Sequence, residues 1–160
     1  MILDERLIRV LHAAGLREIS FGVESPDPLS AQASRASLYT SRTHAYDGET
    51  LLGSGTQDHG VLRDWVLQDT EESIEELIRF ACDLDTTYAN FKILTPYPGT
   101  PQFNQLKHLV FETDWEKFDG YTLTFNHPTL TPRRARLMLG MAYSRFIGRP
   151  SQLFNWLRAA

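Results

Sequence analysis

The stretch YANFKILTPYPGTP, residues 88–101, decides how the chain is read. In an extended backbone Ala89, Phe91 and Ile93 fall on one face, and Asn90 and Lys92 fall on the other. A strand covered by helices on both sides is apolar on both faces. Polar residues on one face therefore point to a barrel interior or a site. The run then meets Pro96, Pro98 and Pro101 with Gly99 among them. Each proline lacks an N–H and fixes its own φ, so the strand stops there. Junctions of this kind are where α/β proteins bind ligands. The alternative is an ordinary rigid turn.

Upstream, residues 69–84 (DTEESIEELIRFACDL) predict a helix. Asp69 and Glu72 have capping-box spacing, and the acidic first turns suit the helix dipole. Ile74, Leu77, Ile78, Ala81 and Leu84 form its apolar stripe. Further upstream, Asp4 is a candidate N-cap for a helix reaching Ala14, with Leu7, Ile8, Val10, Leu11 and Ala14 on its apolar side. Gly15 suits the left-handed position that ends it. Residues 17–25 (REISFGVES) alternate Ile19, Phe21 and Val23 with Ser20, Gly22 and Glu24, the pattern of a strand. Successive helix–strand units are the signature of parallel α/β packing.

Residues 26–68 carry neither period and no apolar face of useful length. They read as an irregular or disordered insertion. Downstream, residues 103–109 predict a short helix. Thr131 and Pro132 signal a longer helix whose stripe is Ala135, Met138, Leu139, Ala142 and Phe146. A last helix is expected from Ser151, carrying Leu153, Phe154 and Leu157. Trp115, Phe118 and Tyr121 read as core rather than contact residues.

At 160 residues the chain has the length of one domain, and its 42% hydrophobic and 22% charged composition is that of a globular protein. The net charge of −4 gives no reason to expect nucleic acid as a partner. No apolar run is long enough for a transmembrane segment, and the N-terminus lacks a signal peptide's apolar core, so the expected location is cytoplasmic. One cysteine, Cys82, is present. It reads as a small buried residue, unable alone to hold zinc or an iron–sulfur cluster. His127 is open to two readings, a ligand or base and a loop histidine bonded to backbone. No metal-ligating set and no catalytic triad stands out.

Three stretches together resemble one family: REISFGVESPDP, residues 69–103, and residues 114–153 from DWEKFDG onward. They resemble the later part of radical S-adenosylmethionine (radical SAM) enzymes, in the branch that carries a cobalamin-binding domain ahead of the radical domain. The resemblance implies an α/β fold: an incomplete (β/α) barrel of the radical SAM type in residues 1–103, followed by a C-terminal helical cap in residues 104–160. It implies S-adenosyl-L-methionine, a four-iron four-sulfur cluster and cobalamin as cofactors of the complete protein. The cluster yields a 5′-deoxyadenosyl radical, or serves cobalamin-linked methyl transfer. By position, Glu24 and Ser25 match residues near the ribose and amino-acid portion of S-adenosylmethionine, and Gly22 leaves room for close approach. Thr95 and Tyr97 match the rim loop, as contacts to substrate or cofactor or as purely structural residues. No catalytic residue is assigned. The substrate implied is a small or lipid-like molecule.

Two departures follow from the same comparison. The Cys-x-x-x-Cys-x-x-Cys cluster loop is absent, and the first residues match the middle of a barrel. The expectation is a fragment without turnover. It is alternatively a non-catalytic half that pairs with a separate N-terminal chain, or a degraded gene product. Residues 26–68 keep the family's length and lose its pattern, which suggests two compensating frameshifts. DWVLQ at 64–68 stands where a Gly-x-Pro-Gly-like turn is expected.

Overall fold

The computed structural model describes residues 5–23, 57–62 and 64–152. Helix α1 spans Glu5–Ala13, strand β1 Glu18–Val23, strand β2 Gln57–Leu62 and helix α2 Glu71–Asp83. Strand β3 spans Tyr88–Asn90, helix α3 Pro101–Leu106 and helix α4 Pro132–Ile147, with one 3-10 turn at Trp115–Lys117. The three strands form one parallel sheet in the order β1-β2-β3. Helix α2 makes the crossover from β2 to β3, the connection that parallel neighbours require. The sheet is thus parallel α/β, as helix–strand alternation predicts. Three strands do not close a barrel among the described residues.

Strand β2 corrects the irregular reading of residues 26–68. Six residues of that segment pair along their whole length with β1, and Trp65 extends the pairing by bridging Ile93. The strand escaped detection because QDHGVL lacks alternation: a strand between two partners is held by backbone bonds on both edges, which side-chain pattern does not report. Trp65 is 1% exposed and among the largest buried side chains. The other residues of 26–56 lie outside the described set.

The core forms where the sheet's apolar face meets α2 and α4. Ile74, Leu77, Ile78 and Ala81 from α2 pack with Ala135, Met138, Leu139, Ala142 and Phe146 from α4. Leu62, Trp65, Phe91 and Ile93 supply the sheet's side of it. The α4 stripe is the one the sequence predicts, residue for residue, with Thr131 accepting from the Arg134 amide as the N-cap. Phe91 meets Tyr143 and Phe146 edge-on, with centroids 5.3 and 6.0 Å apart. At the far end, Arg149 lies 3.6 Å over the Phe146 ring and donates to the carbonyls of Cys82 and Thr86. It closes the C-terminal end of α2, where carbonyls lack helical partners.

Several local expectations change. Thr70, not Asp69, is the N-cap of α2, in a reciprocal box with Ser73. Asp69 is buried and accepts from the Val66 amide and the Ser73 hydroxyl, so it fastens the turn before the helix. Val10 is exposed, whereas Ile8 is buried. Helix α3 begins at Pro101, because Thr100 caps it and proline fits the first turn. Trp115 is 61% exposed and Tyr121 is also exposed; Phe118 alone of the three aromatics is core. The chain is helical again at 150–152, and the rest of the helix expected from Ser151 lies outside the described residues. Among the described residues no helix is long and apolar enough to cross a membrane.

Candidate functional site

The polar face of β3 looks away from the core, as the alternation in residues 89–93 predicts. Phe91 and Ile93 are buried, while Asn90 and Lys92 are half-buried on the opposite side. Sheet register extends this face to β1. Gly22 pairs with Val61, and Val61 with Asn90, so Gly22 and Asn90 stand in one row two strand spacings apart, about 10 Å. Glu24 and Ser25, the strand-end residues following Gly22, lie outside the described residues.

Beyond that row the register shifts. Val61 pairs with Asn90 but Trp65 pairs with Ile93, so β2 carries one residue more than β3 over this interval. An extra residue of this kind bends a strand and re-aims its side chains, and such features recur beside active sites. It sets Asp64 within electrostatic reach of Lys92. Burial pushes the Asp64 carboxyl upward and the Lys92 ammonium pulls it back. The methylenes of Lys92 lie over Gly120, 3.5 Å from the point where a Cβ would stand. Gly120 also has a positive φ of 80°, so both backbone and space favour glycine there.

Asn90 Oδ1 receives two phenolic hydroxyls, Tyr121 at 3.4 Å and Tyr143 at 3.3 Å. Tyr143 comes from α4 and Tyr121 from the segment before it, so the C-terminal extension builds one wall of this face. Sequence reading places Asn90 and Lys92 there. It misses Tyr143, which occupies the α4 position beside the stripe residue Ala142 and shows no signal by periodicity.

The proline loop forms the rim. Tyr97-Pro98-Gly99-Thr100 turns with Gly99 at φ 86° and the Thr100 amide donating to the Tyr97 carbonyl. Proline second and a positive-φ glycine third are the requirements of a type II turn. Thr95 is buried, and its hydroxyl donates to the Ile93 carbonyl. Tyr97 is exposed. The loop residues thus divide: Thr95 braces the strand end, and Tyr97 presents its ring outward.

His127 is held by backbone. Its Nε2 lies 3.0 Å from the Val66 carbonyl, and Nδ1 accepts from the amides of Thr129 and Leu130. Both ring nitrogens are occupied, which selects the loop-histidine reading. Among the described residues no group of three His, Cys, Asp or Glu is placed to hold a metal ion.

The residues present do not fit an iron–sulfur cluster. Cluster ligation takes several thiolates, and the chain's one thiol, Cys82, sits on α2 with its pKa raised by burial. In the row that joins Gly22 to Asn90 the middle position is Val61, so the polar groups of this face are those of β3 itself, Asn90 and Lys92.

No protein-family model matches the chain. It is 27% identical over 163 residues to an uncharacterised methyltransferase of Pyrococcus horikoshii, a match covering 95% of this chain and 33% of the relative. It is 29% identical over 156 residues to the anaerobic magnesium-protoporphyrin IX monomethyl ester cyclase of Cereibacter sphaeroides, covering 89% of this chain and 23% of the cyclase. A shorter match, 37% identical over 57 residues, joins it to the bacteriochlorophyllide d C-12(1)-methyltransferase of Chlorobaculum tepidum. The described residues form a parallel α/β sheet with helices packed on it. In sequence the chain is thus similar to methyltransferases and to a cyclase. It spans about a third or less of the length of these relatives.

Proposed function

We propose that the chain is the C-terminal part of a radical SAM methyltransferase or cyclase of the cobalamin branch. In this reading its sheet is a segment of the incomplete barrel and residues 104–160 are the helical cap. The carrying observation is the polar face of β3, where Asn90 meets the hydroxyls of Tyr121 and Tyr143 just ahead of the proline loop in the chain. S-adenosylmethionine would meet this face beside Gly22, with Glu24, Ser25 and Tyr97 as its neighbours. The substrate is a small or lipid-like molecule, and the tetrapyrroles in the names of two of these relatives are instances of that class. The radical chemistry depends on a cluster held by residues outside this chain, so the 160 residues alone do not turn over. The second cofactor of the branch, cobalamin, likewise belongs to the complete protein.

Anaerobic reconstitution with iron, sulfide and a reductant tests the reading. The isolated chain is expected to stay colourless and to form no 5′-deoxyadenosine from S-adenosylmethionine. A brown protein that cleaves S-adenosylmethionine contradicts it.

A further inference from the structure

The polar face of β3 holds hydrogen-bond donors with no acceptor among the described residues. Lys92 is half-buried, its stem is fixed against Gly120, and its ammonium makes no hydrogen bond or ion pair among the described residues. Asp64 acts on it through space. One step back along the same face, Asn90 uses its Oδ1 to receive Tyr121 and Tyr143, and its Nδ2 has no hydrogen-bond partner among the described residues. A partly desolvated cation beside free amide N–H groups is a site that lacks its acceptor. It lies at the C-terminal end of a parallel strand, where open α/β sheets take ligands.

From this geometry we infer that Lys92, with Asn90, binds the carboxylate of a small-molecule ligand. Charge selects a carboxylate over a phosphate. Lys92 offers one positive charge, and nearby Asp64 offsets part of it, so a monoanion is favoured over a dianion. The carboxylate can come from two sources, the amino-acid end of S-adenosylmethionine or an acidic substrate. The inference rests on the rim being a ligand site, as proposed above, and is independent of the radical step.

The test titrates the whole 160-residue chain, ¹⁵N-labelled, with four probes followed by amide shifts at Asn90, Lys92 and Gly120. S-adenosylhomocysteine carries an amino-acid carboxylate and 5′-methylthioadenosine lacks it. Protoporphyrin IX carries two carboxylates and its dimethyl ester has none. At least one acid is expected to bind more tightly than its neutral partner, and which pair discriminates names the source. Lys92→Met, which keeps the stem on Gly120, is expected to weaken that acid about tenfold and leave the neutral analogue unchanged. Lys92→Arg is expected to restore most of the loss. Equal binding of acid and neutral probe to the unmodified chain overturns the carboxylate subsite while leaving the rim a ligand site. So does a folded Lys92→Met that binds the acid undiminished. If none of the four probes binds, the ligand-site reading of the rim falls with it.

Discussion

The Tyr143 hydroxyl sits against the backbone of Phe91, 3.3 Å from its amide nitrogen and 3.2 Å from its carbonyl oxygen. Phe91 continues β3, whose other edge pairs with β2, so one phenol closes two groups on the edge that has no neighbouring strand among the described residues. Two residues on, the Ile93 amide donates to the Gly120 carbonyl at 2.7 Å. The C-terminal extension therefore shields the sheet edge from pairing with another chain, and the same Tyr143 hydroxyl reaches Asn90 on the polar face.

Tyr143→Phe removes the hydroxyl and keeps the ring contact with Phe91. It is expected to cost about 1–2 kcal/mol, because two backbone groups lose their partner. Urea denaturation at pH 7 measures this, and an unchanged midpoint shows that water replaces the hydroxyl without loss.

The same residue gives a pH signature. Burial, the largest cause, raises the Tyr143 pKa, with the Phe91 amide pulling it down and Tyr121 pushing it up. A raised folded pKa means that the contribution is fully present below the unfolded value, about 10. It is lost as pH rises through the folded value. The stability gap between the unmodified chain and Tyr143→Phe should therefore narrow above about pH 10. A gap constant from pH 8 to 11 contradicts it.

His127→Ala is expected to destabilise by about 1–3 kcal/mol, since the Val66 carbonyl and two amides lose their partner together. Zinc added to the unmodified chain should leave its thermal midpoint unchanged. A zinc-dependent rise abolished by His127→Ala would restore the ligand reading.

Cys82 should alkylate slowly. Desolvation is the first cause of its raised pKa, with Arg149 opposing it, and the thiolate is the reactive form. Iodoacetamide at pH 7.5 is expected to modify it more slowly than free cysteine. A faster reaction contradicts the burial argument.

Much of this was legible beforehand where one local rule sufficed. The α4 stripe follows from a 3.6-residue period and a Thr-Pro start, and the polar face of β3 from simple alternation. What escaped the sequence depends on partners distant in the chain. Strand β2 is fixed by neighbours on both edges, so QDHGVL needs no pattern of its own. Tyr143 matters through residues 52 and 53 positions away. Thr70 displaced Asp69 as cap because two side chains with similar capping ability are adjacent, and the turn at Val66 recruited the carboxylate. The segment DWVLQ lacks the Gly-x-Pro-Gly-like sequence expected there, yet the chain turns at Val66–Asp69 and puts Trp65 into the core.

On the function proposed above, this chain supplies one wall of a radical SAM site whose cluster is held elsewhere. The most direct measurement co-expresses it with a polypeptide carrying the Cys-x-x-x-Cys-x-x-Cys loop and the first barrel strands, then assays 5′-deoxyadenosine after anaerobic reconstitution. Product is expected only when both chains are present. A cluster-loaded complex that leaves S-adenosylmethionine intact, or cleavage by the 160-residue chain alone, contradicts it.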